Sequence, residues 1–270
     1  VPNSIKDNLK NLLRRYSVAG IVPEILDLKY LYVETNSTVY YNENLAPGSD
    51  FVKSIVSTNV DNYSNSTELN KYGARFKYSR FQNIIDNSHE SITSNITTVQ
   101  IRRDMKVRLS QLANYEICFG NEFYIKRLDG YNIKSSGFRI FGVDDVVYLG
   151  DVPNQDQVTG EIFLFKLNSP TRPGIVRRSV GTINYEKGEI LLDNINIVST
   201  SKTVQRQPII EISACPRSND VIGLQDLYLQ LNTSNSVLNM LSDEVASGAD
   251  PSGTTYITTS SYTNGNLVRS

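Results

Sequence analysis

The 270-residue sequence holds 39% hydrophobic and 20% charged residues, a globular composition and not a disordered or fibrous one. Its 27 Lys and Arg against 28 Asp and Glu leave a net charge of −1, which removes the electrostatic case for nucleic acid or an anionic membrane as partner. One His, two Cys and no Trp make a poor catalytic kit, whereas 16 Tyr offer large amphipathic contacts at low entropic cost, so the composition points to assembly before chemistry.

In chain order, Ser4 with Asp7 resembles a capping box, and Ile5, Leu9, Leu12, Leu13 and Tyr16 recur at helical spacing, so a helix is predicted that ends at Gly20. From Pro23 the pattern becomes strand-like. Leu26, Leu28, Tyr30 and Tyr32 share one face, and Asn36-Ser37 is predicted to turn the chain into a hairpin with residues 39 to 41. Ser49 is expected to cap a second helix through Phe51, Val52, Ile55 and Val56, and a third is expected from Tyr78 to Ile85 with Phe81, Ile84 and Ile85 inward. A strand over 96–101 completes a small two-layer α+β domain, residues 1–104.

Residues 105–217 read as a mainly antiparallel, β-sandwich-like domain, with apolar runs at YEICF, EFYIKRL, FRIFGV, VVYLG and EIFLFKL set between turn residues. Its clearest element is GTINYEKGEILL, a hairpin in which Gly188 supplies the left-handed residue of the loop. PIIEISAC closes the domain. Residues 218–270 form the third part, an acidic C-terminal extension or arm. No Lys or Arg occurs from Ser218 through Val268, while Asp220, Asp226, Asp243, Glu244 and Asp250 do. Leu224, Leu227, Leu229 and Leu231 fit a strand or short helix, whereas Val237, Leu238, Met240, Leu241 and Val245 follow helical spacing. The fold class expected is therefore α+β: the two-layer domain, the β domain and the extension.

No phosphate-binding glycine loop, dinucleotide fingerprint, H-E-x-x-H or paired C-x-x-C is present, so no cofactor, metal or small-molecule substrate is expected. His89 in DNSHES and the pair Asp144-Asp145 read as solvated turn residues, and the N-x-S/T sequons as turn and cap chemistry. Cys118 and Cys215 read as free thiols, and the opening VPNSIKDNL, without Met, suggests a fragment. Basic residues gather over 71–108. The predicted interface therefore pairs the apolar rows Leu224, Leu227, Leu229, Leu231, Val237, Leu238, Met240 and Leu241 with Lys71, Arg75, Arg102 and Arg103, the acidic tail docking on a neighbouring subunit.

Three segments, taken together in order and spacing, resemble the baseplate wedge family of T-even-type contractile-tailed phages, related to the wider baseplate J-like family. They are NSIKDNLKNLLRRYSVAGIVPEILDLKYLYVETNSTVYYNENL, the hairpin GTINYEKGEILL, and EISACPRSNDV with the leucine-rich acidic stretch behind it. The resemblance implies a non-enzymatic late protein of the virion, assembled in the host cytoplasm. It implies a homodimer that joins wedges into a ring, touches other baseplate wedge proteins and moves when the sheath contracts. It also implies a C-terminal fragment of a longer subunit. The rival reading is a carbohydrate-binding or carbohydrate-cleaving tail or cell-surface β protein, which a Tyr-lined groove with two facing carboxylates would favour. A receptor-binding fibre would show repeats or a trimeric coiled coil, and neither appears.

Overall fold

The computed structural model describes residues 3–18, 20–25, 28–125, 131–169, 172–224, 227–243, 262–263 and 266–267. Helix α1 (Asn3–Tyr16) comes first, with its apolar stripe of Ile5, Leu9, Leu12, Leu13 and Tyr16 exposed. Strand β1 (Lys29–Tyr41) follows. Its alternate residues Leu31, Val33, Thr35, Ser37, Val39 and Tyr41 are buried, the period of two that one covered face imposes. A 3-10 turn (Glu43–Leu45) leads to helix α2 (Ser49–Ser64), in which Val52, Val56, Val60 and Tyr63 are buried at successive turns and Asp50 sits in the dipole-favoured first turn. Next come β2 (Arg75–Phe76), α3 (Tyr78–Asp86), which buries Phe81 and Ile85, and the long β3 (Ile92–Lys106).

The remaining elements are strands: β4 (Leu112–Cys118), β5 (Lys134–Ser135), β6 (Phe138–Ile140), β7 (Tyr148–Pro153), β8 (Thr159–Ser169), β9 (Arg172–Asn184), β10 (Glu189–Thr200), β11 (Lys202–Val204) and β12 (Gln207–Ala214). After them come β13 (Val221–Ile222), β14 (Leu227–Leu231), β15 (Val237–Ser242), β16 (Tyr262–Thr263) and β17 (Asn266–Leu267). The first sheet runs β11-β12-β3-β1-β14, with β15 continuing beside β1 and β5 beside β12. In it β14 and β15 lie parallel to β1, while β3 is antiparallel to both β1 and β12. The second sheet, β4-β10-β9-β8-β7 with β6 on β10, is antiparallel throughout. One cluster of buried apolar side chains joins α2, α3 and the covered faces of both sheets.

The expected α+β class is corrected: of the described residues 48% lie in strands and 18% in helices, so the fold is mainly β with few helices. The physical reason is that β1 and β3 do not pack as a self-contained layer under the helices. They recruit β12, β14 and β15 from more than a hundred residues downstream. The first sheet thus draws strands from all three of the segments read from the sequence. The predicted turn at Asn36-Ser37 is also absent. Both residues stay in the β1 ladder, opposite Thr98 and Thr97, and Thr97 Oγ1 donates to a buried Ser37 Oγ at 2.9 Å. Residues 237–242 form β15 and not a helix, because pairing with β1 outweighs a helical spacing carried by only four apolar residues. Val245 and the 250–261 segment lie outside the described residues.

The β9–β10 hairpin follows the sequence pattern. Its loop closes at Gly188 (φ +65°), where Lys187 N–H donates to Asn184 Oδ1 at 2.9 Å. A Cβ on Gly188 would collide with the Asn121 carbonyl. Beneath the hairpin, Tyr185 Oη donates to the buried Asp151 carboxylate at 2.7 Å, whose other oxygen accepts from Ile133 N–H at 2.7 Å.

Candidate interaction surface

On β1, the residues that alternate with the buried set, Tyr30, Tyr32 and Glu34, stand on the face turned away from the core. Pairing brings their neighbours into line. Tyr30 stacks on Tyr32 with centroids 5.7 Å apart, Tyr228 meets Tyr30 edge-on at 5.9 Å, and Tyr72 meets Tyr228 edge-on at 5.7 Å. At the end of this row the Arg102 guanidinium lies 4.5 Å above the Tyr32 ring.

Arg102 is 7% exposed and gathers three carboxylates. Its Nη1 is 2.9 Å from Glu34 Oε1 and 3.4 Å from Glu211 Oε1. Its Nε lies 3.2 Å from Asp104 Oδ1, close enough for an ion pair but too poorly aligned for a hydrogen bond. Lys202 Nζ reaches Glu211 at 3.7 Å, and the amides of Asn232 and Asn235 donate to Glu34 at 3.3 and 3.1 Å. Burial raises the Asp104 pKa. Arg102 opposes that rise, and Glu211 and Glu34 add to it. Burial likewise raises the Tyr32 pKa, with Asp104 adding to it. One buried cation so ties β1, β3 and β12 together through the acids each contributes.

The structure disperses the predicted interface. Leu227, Leu229 and Leu231 are buried against the chain's own core, and Leu224 packs on that core half-buried, so these four do not form an open apolar row. Leu238 and Met240 also pack half-buried against the core. Val237 and Leu241, on the opposite side of β15, are each 48% exposed. Beside β15 a groove is lined by Ser49, Asp50 and Lys53 of α2 together with Leu238 and Met240. Lys71 and Arg75 are exposed, Arg102 is committed to its three acids, and the half-buried Arg103 donates to the Cys118 carbonyl. The four basic residues therefore do not make one patch.

His89 is half-buried, with Nδ1 2.8 Å from Ser91 Oγ and its ring edge-on to Phe51. Asp145 pairs with Lys166 at 2.7 Å. Cys118 and Cys215 are free and half-buried. Among the described residues no group of His, Cys, Asp and Glu could hold a metal ion, and no helix is long and apolar enough to cross a membrane. Sequence reasoning missed the tyrosine row and the Arg102 cluster. The Y-x-Y of β1 was a signal for the row, but the acids come from three strands brought together only by pairing.

Residues 29–104, from β1 through most of β3, match the family described as baseplate structural protein gp6, C-terminal domain III. This part of the chain is similar to that family. An alignment of 254 residues, 82% of the chain, relates it at 23% identity to the baseplate wedge protein gp6 of Enterobacteria phage T4. The chain spans 38% of the length of that curated relative. Domain III as matched includes the tyrosines of β1, Glu34, Arg102 and Asp104, whereas Glu211, Tyr228 and β15 lie beyond it.

Proposed function

We propose that the chain is a structural component of a phage baseplate wedge that acts by protein contact and not by catalysis. It pairs with its own copies and with other wedge proteins, links wedges into a ring, and shifts with the baseplate when the sheath contracts. As a baseplate protein it belongs to the virion. The observation that carries this reading is the alignment, over 82% of the chain, to a baseplate wedge protein. The contacts we propose run through the residues of the predicted interface that keep exposure, Val237 and Leu241 on β15 with Lys71 and Arg75.

The carbohydrate reading has less support. The tyrosine row does end in carboxylates, but Glu34, Asp104 and Glu211 all turn onto Arg102 and leave no pair facing across a groove. Co-expression with other baseplate wedge proteins, followed by affinity capture and negative-stain imaging, tests the proposal. The expected result is co-purification in a defined assembly with no turnover of cell-wall glycan. A chain that ignores the wedge proteins while binding or cleaving glycan would overturn it.

A further inference from the structure

We propose that the notch between β14 and β15 is a socket for an arginine side chain presented by a partner protein. This rests on the protein-contact reading above and names the chemistry of one such contact. Strand β1 has two parallel neighbours in succession: β14 pairs with it as far as Val33/Leu231, and β15 takes over from Asn36/Val237. Residues 232–236 loop out between the two, and there Thr35 N–H donates to Ser236 Oγ at 3.0 Å. The interruption opens a cavity of about 280 Å³, walled by β1, the loop and helices α2 and α3. That lies at the small end for ligand pockets, room for one long side chain and not for a folded element.

The chemistry of the wall breaks two local rules. The covered face of β1 reads Leu31, Val33, Thr35, Ser37, Val39, Tyr41, so two small hydroxyls interrupt a hydrophobic stripe, and both line the cavity at 4% and 1% exposure. Buried hydroxyls need partners. Ser37 Oγ accepts from Thr97 Oγ1 and keeps a second lone pair, while Thr35 Oγ1 has no hydrogen bond among the described residues. The second break is Asp61, an exposed acid in the last turn of α2, where the helix dipole disfavours negative charge and no basic residue offsets it. Among the described residues its carboxylate enters no ion pair. Departures of this kind mark functional positions.

Charge selects the occupant. Asp61 is the one charged residue among those that line the cavity, so an anion is repelled and a cation is favoured. A guanidinium carries five N–H donors in a fixed fork, enough to meet the Asp61 carboxylate and several hydroxyl oxygens at once, whereas an ammonium carries three on a point charge. The methylene stem of an arginine has apolar wall to lie on in Val60, Ile85 and Leu238, and the Phe81 ring adds a surface that guanidinium favours.

The test titrates N-acetyl-arginine amide into the isotope-labelled full chain and follows the amide signals of Thr35, Ser37 and Ser236 by NMR. The citrulline amide, a neutral isostere, the lysine amide and glucose serve as comparators. The expected result is saturable shifts confined to the notch, with affinity on the order of millimolar for a lone side chain, and binding at least about tenfold weaker for citrulline. Asp61→Asn should weaken arginine amide about tenfold without lowering stability in urea, because the carboxylate is exposed and unpaired. Asp50→Asn, on the same helix but outside this cavity, should leave binding unchanged. Absence of saturable shifts, an Asp61→Asn chain that binds like the parent, or lysine amide or glucose bound as tightly as arginine amide would each overturn the inference. None of these readouts needs a wedge protein, so their failure leaves the wedge role standing, and failure to co-purify with wedge proteins leaves the socket standing.

Discussion

Arg102 is the residue on which most of the first sheet's polar contacts converge. Replacing it with Met leaves Glu34, Asp104 and Glu211 together in partial burial without their shared cation, and the expected loss of stability is about 3–5 kcal/mol by urea unfolding. Arg102→Lys should recover part of this, since one ammonium cannot meet three acids and cover the Tyr32 ring at once. The acids Asp104 and Asp151 also set a pH dependence. Burial is the largest cause of a raised pKa in both, so the folded state holds their protons more tightly than the unfolded chain does. Their contribution is favourable at low pH and is lost as pH rises from the ordinary Asp value of about 3.9 through the raised folded values. Asp151→Asn should flatten that fall. Unfolding curves measured from pH 4 to 7 check the sign, and a parent chain that gains stability over this range from these two groups would contradict it. None of this could be read from the sequence. Asp104 and Glu211 become neighbours only when β3 pairs with β12, and Asp151 finds Tyr185 only when the β7–β8–β9 ladder and the β9–β10 hairpin have formed.

Among elements, the β9–β10 hairpin and strand β15 show what local pattern does and does not decide. The hairpin was legible because its determinants lie within a dozen residues: apolar alternation on both strands and a glycine where φ is +65°. Gly188→Ala should therefore cost more than about 1 kcal/mol, from the left-handed backbone and from the Asn121 carbonyl, in thermal or urea unfolding. For β15 the local pattern misled. Val237, Leu238, Met240 and Leu241 satisfy a helical spacing, yet β1 offers them a parallel partner that lies two hundred residues upstream and has no local signature. Likewise Asn36-Ser37 has turn chemistry, but β3 on one side and β15 on the other hold it extended. The leucines of β14 follow the same logic: they are periodic because they are core.

At the scale of the molecule, β14 and β15 are part of the first sheet. Truncation after Arg217 removes β13, β14 and β15. It strips β1 of its neighbours on one side and leaves Leu31 and Val33 without the cover of Leu227, Leu229 and Leu231. At roughly 1.5–3 kcal/mol for each buried leucine, the loss is comparable to the whole stability of an ordinary domain. The truncated chain should therefore lose cooperative unfolding of this sheet and expose amides of β1 to hydrogen exchange, while a chain ending after Asp243 should keep both. A truncated chain with intact protection at β1 would show that the leucines contribute little. The placement of β1 also has a consequence for how the protein is made. Two of its three partner strands are translated some two hundred residues after it, so the centre of this sheet must wait, unpaired on one flank, while the second sheet is synthesised.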